Sequence, residues 1–260
     1  MSGYILCQTQ RADIPYFIEN ISMNVYSIEE LCYYLYHNLY LIDQTIINER
    51  LCIWLQEELN LPALAAKIRP NLGKFACAED ILYPIFKEIN YLTYEELKAL
   101  NVKLQELNAE ALAVREKRKA DALMDHEMYV HAIQVYQGIL KRENLDKIRE
   151  GLAEEVYHNL GCAHSYMFQM EKALDCFKKA YDASGNRKSL ESYLTAFRII
   201  RSSAEYEKLT KALEVDAQML RDIENKIEDF SKLPEIEITE ETIDVTLNRL
   251  TREYHRSTGS

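Results

Sequence analysis

The fold of this chain is decided by residues 154–187, EEVYHNLGCAHSYMFQMEKALDCFKKAYDASGNR. Large and small apolar residues recur in this stretch at helical spacing: Tyr157, Leu160, Gly161, Ala173, Phe177 and Ala180. Glycine and alanine at three of these positions allow neighbouring helices to approach closely, because a larger side chain would hold them apart. Leu160 and Phe177 fill the space that remains between the helices. The stretch therefore predicts helices in close contact.

The same spacings, W/Y-x2-L-G followed by A-x3-F-x2-A, resemble the tetratricopeptide repeat (TPR), a helix–turn–helix unit of about 34 residues. Two positions depart from the family pattern. His164 stands where an aromatic residue is usual, and Gly185 stands where a proline commonly ends the second helix. The resemblance implies an all-α fold in which antiparallel helix pairs stack as a TPR-like right-handed α-solenoid.

A partial copy of the repeat lies upstream, where four residues match the turn and the second helix: Tyr129, Ala132, Tyr136 and Ile139. Its first helix is expected over residues 114–125, with Ala120 in the small position. Ala132 and Ala173 are 41 residues apart, seven more than the family period. We expect these extra residues to lengthen the next helix, so that it starts near Leu145. The resemblance covers residues 113–187.

The rest of the chain is predicted to be helical as well. Residues 1–112 form an N-terminal helical bundle, 113–232 the TPR-like repeats, and 233–260 an acidic linker with a C-terminal amphipathic segment. Capping boxes at Ser27–Glu30 and Thr93–Glu96 predict helix starts, and the second opens a long helical run towards His126. Downstream, residues 190–201 and 204–230 predict a further helix pair that caps the stack. The final amphipathic segment either docks on the body or binds a partner.

Composition agrees with long helices, because 7 glycines and 5 prolines in 260 residues leave few turns. The net charge of −11 opposes binding to nucleic acid, since such binding depends on cations that neutralise phosphates. Residues 203–245 hold 13 acidic and 5 basic residues, which form either a solvated helical face or an acidic surface for a basic partner. The basic cluster 115–119 is read as a solvated turn, with a nucleic-acid contact as the alternative.

Six cysteines without a CxxC motif predict buried free thiols in a reducing compartment. With no signal-peptide pattern and no apolar run long enough to span a membrane, we expect a cytoplasmic protein.

In TPR proteins, a concave groove lined by the first helix of each unit holds peptides. By register, the resemblance places five groove candidates in this chain: Lys117, Asp121, Asn159, Cys162 and Tyr166. Family members that hold a C-terminal carboxylate do so with lysine, asparagine and arginine, and Lys117 and Asn159 match two of those places. Asp121 would repel a carboxylate, and Ser189 and Tyr193 stand where cations belong. We therefore expect an ordinary extended or helical peptide rather than a carboxylate clamp.

Motifs for other chemistry are scarce. The histidine pairs His126/His131 and His158/His164 lack the i, i+4 spacing of a metal site, and no phosphate-binding or nucleophile-elbow motif occurs. Only His158 and Cys162, at i and i+4, suggest a nucleophile with its base. We expect no catalytic residues, no cofactor and no metal.

The sequence thus favours a protein–protein interaction module, such as an adaptor, a scaffold or a chaperone-like binder, whose partner is another protein or peptide. An alternative is a peptide- or ligand-responsive transcription regulator with a DNA-contacting N-terminal half. We expect neither nucleic acid nor membrane as a partner, and the sequence leaves a homo-oligomer open.

Overall fold

The computed structural model describes residues 9–73, 79–232 and 243–258, which are mostly α-helical. They form two compact units, the first ending at His126 and the second beginning at Glu127. Among its described residues, the first unit contains a hairpin and six helices: β1 (Tyr16–Ile18), β2 (Met23–Val25), α1 (Ile28–His37), α2 (Glu49–Glu57), α3 (Pro62–Ile68), α4 (Glu79–Glu88), α5 (Tyr94–Ala109) and α6 (Leu112–Asp125). The all-α prediction is therefore confirmed for most of the described chain.

The β1–β2 hairpin was not predicted. Its strands are antiparallel, with Tyr16 opposite Val25, and each has only three residues, too few for an alternating pattern to be recognised. The Tyr16 hydroxyl donates a hydrogen bond to the carbonyl of Ile46 at 2.6 Å, and its ring lies 5.6 Å from that of Trp54. Burial raises the pKa of Tyr16 to about 12. Contacts with distant residues therefore fix this hairpin.

Both predicted capping boxes lie at helix starts. The Ser27 hydroxyl accepts the amide hydrogen of Glu30, three residues into α1. At α5 the box is complete, because Thr93 accepts from the Glu96 amide while the Glu96 carboxylate accepts from the Thr93 amide at 2.8 Å. These side chains satisfy amides that a helix start would otherwise leave unpaired.

The predicted helical run towards His126 is two helices rather than one. Extended backbone at Glu110 and Ala111 separates α5 from α6, with neither proline nor glycine to mark the break. Beyond it, α6 packs against a 3-10 turn at Leu39–Leu41, and Lys119 pairs with Asp43 at 2.6 Å. Helix α6 consequently belongs to the first compact unit, whose end at His126 lies a full helix after the boundary predicted at residue 112.

Pro84 lies inside α4 without ending it. Proline has no amide hydrogen, so the helical hydrogen bond from residue 84 to the carbonyl of Asp80 is missing. Because Asp80 lies in the first turn, only the N-terminal end of the helix loses a hydrogen bond. The sequence predicts a helix over residues 75–90, and the start of that predicted helix lies outside the described residues.

Among the described residues of the second unit there are eight helices: α7 (Tyr129–Leu140), α8 (Leu145–Ile148), α9 (Leu152–Tyr166), α10 (Met170–Ser184), α11 (Arg187–Ile200), α12 (Ser203–Ala212), α13 (Ala217–Ser231) and α14 (Ile243–Thr258). Helix α9 packs against α7 and α10, α10 against α11, and α11 against α12 and α13. Successive helices are thus neighbours in space through most of the unit.

For two helices of this unit, the predicted length was wrong. The helix expected from Leu145 is interrupted, because Gly151 adopts φ 72° and separates the short α8 from α9. The helix expected over 204–230 is split into α12 and α13 by a turn in which Glu214 has φ 50°. Asp216 then caps α13, and its carboxylate accepts from the amides of Gln218 and Met219.

The C-terminal helix α14 lies against α7. Its apolar side chains remain substantially exposed, including Leu247 at 54% and Tyr254 at 63%. The acidic linker predicted before it, at residues 233–242, lies outside the described residues. None of the described helices combines the length and the apolar character needed to cross a membrane.

Candidate functional site

The candidate site is built on helices α9 and α10, which are in close contact. A Cβ built on Gly161 would lie 2.6 Å from Cε1 of Phe177, closer than carbon atoms pack. Ala173 and Ala180, the other small positions, are completely buried. The predicted reason for a small residue at 161 is therefore confirmed, and Ala173 and Ala180 are buried as that prediction requires.

The contacts between these helices run in antiparallel order. The Tyr157 ring lies 5.9 Å from Nζ of Lys179, Gly161 faces Phe177, and His164 reaches Gln169 at the turn. Earlier residues of α9 thus meet later residues of α10. The three residues between the helices, 167–169, make the tight connection that the sequence predicted.

His164, which departs from the family pattern, is buried at 4% exposure. Its Nδ1 lies 3.0 Å from Oε1 of Gln169, and this contact gives the buried ring a polar partner. Burial lowers the pKa of His164, with a smaller effect in the same direction from the ammonium of Lys172. A buried histidine thus occupies the position where the tetratricopeptide-repeat pattern has an aromatic residue.

Further helices pack onto this pair on both sides. On α11, Tyr193 and Ala196 join the buried cluster around Phe177. The Ser189 hydroxyl donates to the carboxylate of Glu154 at 2.6 Å, which links α11 to α9. On the other side of α9, α7 supplies the aromatic contact that involves Tyr166.

Two of the five predicted groove residues lie in the first unit. Lys117 and Asp121, both on α6, form an ion pair of 2.7 Å at i, i+4 spacing. The Lys117 side chain is only 15% exposed, so its ammonium group is largely covered by protein and lies against the Asp121 carboxylate. The two charges neutralise each other, so a ligand would meet an ion pair rather than a single charge.

The other three predicted groove residues belong to α9, and their spacing places them on one side of that helix. Asn159 and Cys162 are half-buried, and Cys162 packs on the cluster around Phe177. Tyr166 is 60% exposed, and its ring stacks on that of Tyr129 with centroids 4.6 Å apart and planes 2° from parallel. Tyr166 is therefore the most accessible of the three.

Phe168 is a residue that the sequence analysis missed. It lies in the turn after α9, it is 90% exposed, and its φ of 55° is one that a bulky side chain rarely adopts. The only signal in the sequence is an aromatic residue inside a predicted turn. With Tyr129 and Tyr166 it supplies a third aromatic side chain at this end of α9.

The His158 and Cys162 pair lacks the properties of a nucleophile and its base. The His158 ring lies 5.5 Å from that of Phe177, and burial lowers the pKa of this histidine. Burial raises the pKa of the Cys162 thiol, whereas a reactive cysteine needs a lowered one. Within the described ranges, no group of three or more side chains is arranged to hold a metal ion.

Comparisons of this chain with protein-family models, with curated proteins and with solved structures find no match. The geometry of the described residues is therefore the basis for assigning a function.

Proposed function

We propose that this chain is a TPR-type protein–protein interaction module that holds a peptide or a helix of another protein against the groove side of α9, the side that carries Asn159, Cys162 and Tyr166. The observation that carries the proposal is the stacked pair of Tyr166 and Tyr129, with Tyr166 60% exposed. Exposed, rigid tyrosines are typical anchors of protein interfaces, because they bury a large area on binding and have few rotamers to lose.

The strained turn beside this pair supports the same function. Phe168 keeps a large apolar side chain in water on a left-handed backbone, and both features cost stability. Such strain is commonly found where a site needs a side chain in a fixed position. A partner that covered Phe168 and Tyr166 would bury their apolar surface and so remove the cost of exposing it to water.

We also propose that the helix pairs of the second unit continue as a TPR-like right-handed α-solenoid. Supporting this are the packing of α11 on α10 and the hydrogen bond from Ser189 to Glu154, which joins the first helices of successive pairs. Ser189 and Tyr193 are buried, and Lys117 is paired with Asp121, so a carboxylate clamp is not included in the proposal.

For the alternative, a transcription regulator, the described residues of the first unit offer no supporting observation. Helix α3 has only seven residues, and the sequence of α4 contains the three acidic residues Glu79, Asp80 and Glu88 beside a single Lys87. A helix that reads DNA needs an excess of cations near the phosphates.

Site-directed photo-crosslinking tests the proposed function. A photoreactive amino acid at position 166 is expected to capture one predominant protein in cells, and at position 94 none. Tyr94 is the matched control, because it is an 84% exposed tyrosine on α5. With the captured protein purified, Tyr166→Ala is expected to weaken binding by about 2 kcal/mol, or roughly 30-fold in Kd. Equal affinity of Tyr166→Ala and Tyr94→Ala would contradict the groove assignment.

A further inference from the structure

A second surface of the same unit lies on the opposite side of α9. An open cleft of about 520 Å³ is lined by residues of α7, α9 and α10, and α9 contributes Tyr157, Leu160 and His164 to it. Each of these residues lies two positions before one of the three groove residues of α9, which places it about 200° around the helix. The cleft is therefore separate from the proposed groove.

A neighbouring cleft shares part of its lining with the first. A second cleft of about 430 Å³, beside α8, shares Leu140 and Tyr157 with the first. Apolar side chains form much of the floor, including Leu140, Leu160 and Cys176. The two adjoining clefts are here together called the α7–α10 cleft, and each has a volume within the range of ligand sites.

The charge of the α7–α10 cleft is opposite to that of the chain. Lys141 and Lys172 line the larger cleft and Lys147 the smaller one. None of these three ammonium groups pairs with a carboxylate of the described residues. The three cations thus line a cleft of mixed polar and apolar character in a chain whose net charge is −11.

The carboxylates of the cleft are already engaged. Glu171 accepts two hydrogen bonds of 2.7 Å from Arg201, and Asp175 pairs with Lys179 at 2.7 Å. Asp146 accepts the amide hydrogen of Ala153 at 3.2 Å. The cleft therefore offers cations to a ligand while its own anions are largely satisfied internally.

From this arrangement we infer that the α7–α10 cleft binds an acidic peptide segment of a partner protein. Carboxylates of the peptide meet Lys141, Lys147 and Lys172, and its apolar side chains rest on Leu140 and Tyr157. Charge complementarity of this kind selects the partner and speeds association. A long nucleic acid fits less well, because residues 203–245 of the same unit carry a net charge of −8, from 13 acidic and 5 basic residues.

The test is fluorescence anisotropy with the full chain and a labelled synthetic peptide of alternating glutamate and leucine. The double variant Lys141→Glu/Lys172→Glu is expected to bind at least about tenfold more weakly at low salt, with the difference shrinking as salt is raised. The control is Lys178→Glu/Lys208→Glu, which makes the same charge change at two exposed lysines outside the cleft. Equal weakening in both double variants would overturn the inference.

Changes in the peptide test the inference without touching the protein. Replacing glutamate by glutamine removes the charges, and replacing leucine by serine removes the apolar contacts, so each is expected to weaken binding. An oligonucleotide of equal charge should compete poorly, and equal competition would mean a general polyanion surface and would overturn the proposal. Because Tyr166→Ala leaves the α7–α10 cleft intact, unchanged peptide affinity in that variant separates this site from the groove.

Discussion

Replacing Gly161 by alanine tests the contact on which the α9–α10 pair depends. The new Cβ would lie 2.6, 2.7 and 3.0 Å from three atoms of the Phe177 ring, whereas carbon atoms pack at about 3.5–4.0 Å. The ring must therefore move by about 1 Å. Phe177 is 6% exposed and packs against Tyr193 and Ala196, so it has little room to yield.

The size of the effect is set by two opposing terms. Forcing an extra carbon into a packed core costs about 1–3 kcal/mol. Alanine gains about 0.5–1 kcal/mol over glycine inside a helix. We therefore expect Gly161→Ala to lower the free energy of unfolding by about 0.5–2 kcal/mol.

Gly138→Ala is the matched control. Gly138 is an exposed glycine inside α7, and a Cβ there would meet nothing within 4 Å, so this change should raise stability by about 0.5–1 kcal/mol. Both variants are measured by urea denaturation followed by circular dichroism. The single tryptophan, Trp54, lies in the first unit, which neither change alters. Its fluorescence therefore reports the unfolding of the first unit as an internal reference.

A double-mutant cycle identifies the ring as the cause. In a Phe177→Leu background the smaller side chain leaves space for the new Cβ, so Gly161→Ala should lose its penalty and become stabilising. If Gly161→Ala instead stabilises the wild-type chain as much as Gly138→Ala does, the close contact between α9 and α10 is refuted.

Three further predictions concern individual side chains. Phe168→Gly should raise the urea midpoint, because it relieves about 1 kcal/mol of left-handed strain at a 90% exposed residue; an unchanged or lower midpoint would contradict this. Burial lowers the pKa of His164, so the unfolded chain protonates first and stability falls as the pH drops below about 6.5; His164→Gln should make this fall shallower. Thr93→Ala removes the cap of α5 and should cost about 1 kcal/mol in urea denaturation, whereas Thr93→Ser should retain most of the stability.

The candidate site was only partly predictable from the sequence. Register placed Asn159, Cys162 and Tyr166 on one side of a helix, because residues three, four and seven apart share a helix face. The exposure of Tyr166 and its stacking on Tyr129 required the structure, since they depend on how α7 packs against α9. The pairing of Lys117 with Asp121 was also missed, although their i, i+4 spacing permits it.

By itself, the sequence determined the helical character of this protein, several helix starts and the close approach of α9 and α10. These features are encoded locally: capping side chains such as Thr93 satisfy amides within one turn, and Gly161 lacks the Cβ that would collide with the Phe177 ring. Only the tertiary structure decided the break between α5 and α6, the β1–β2 hairpin and the exposure of Phe168. No residue type marks the break or the hairpin, because both depend on contacts between residues distant in the sequence, whose free energy outweighs local preference.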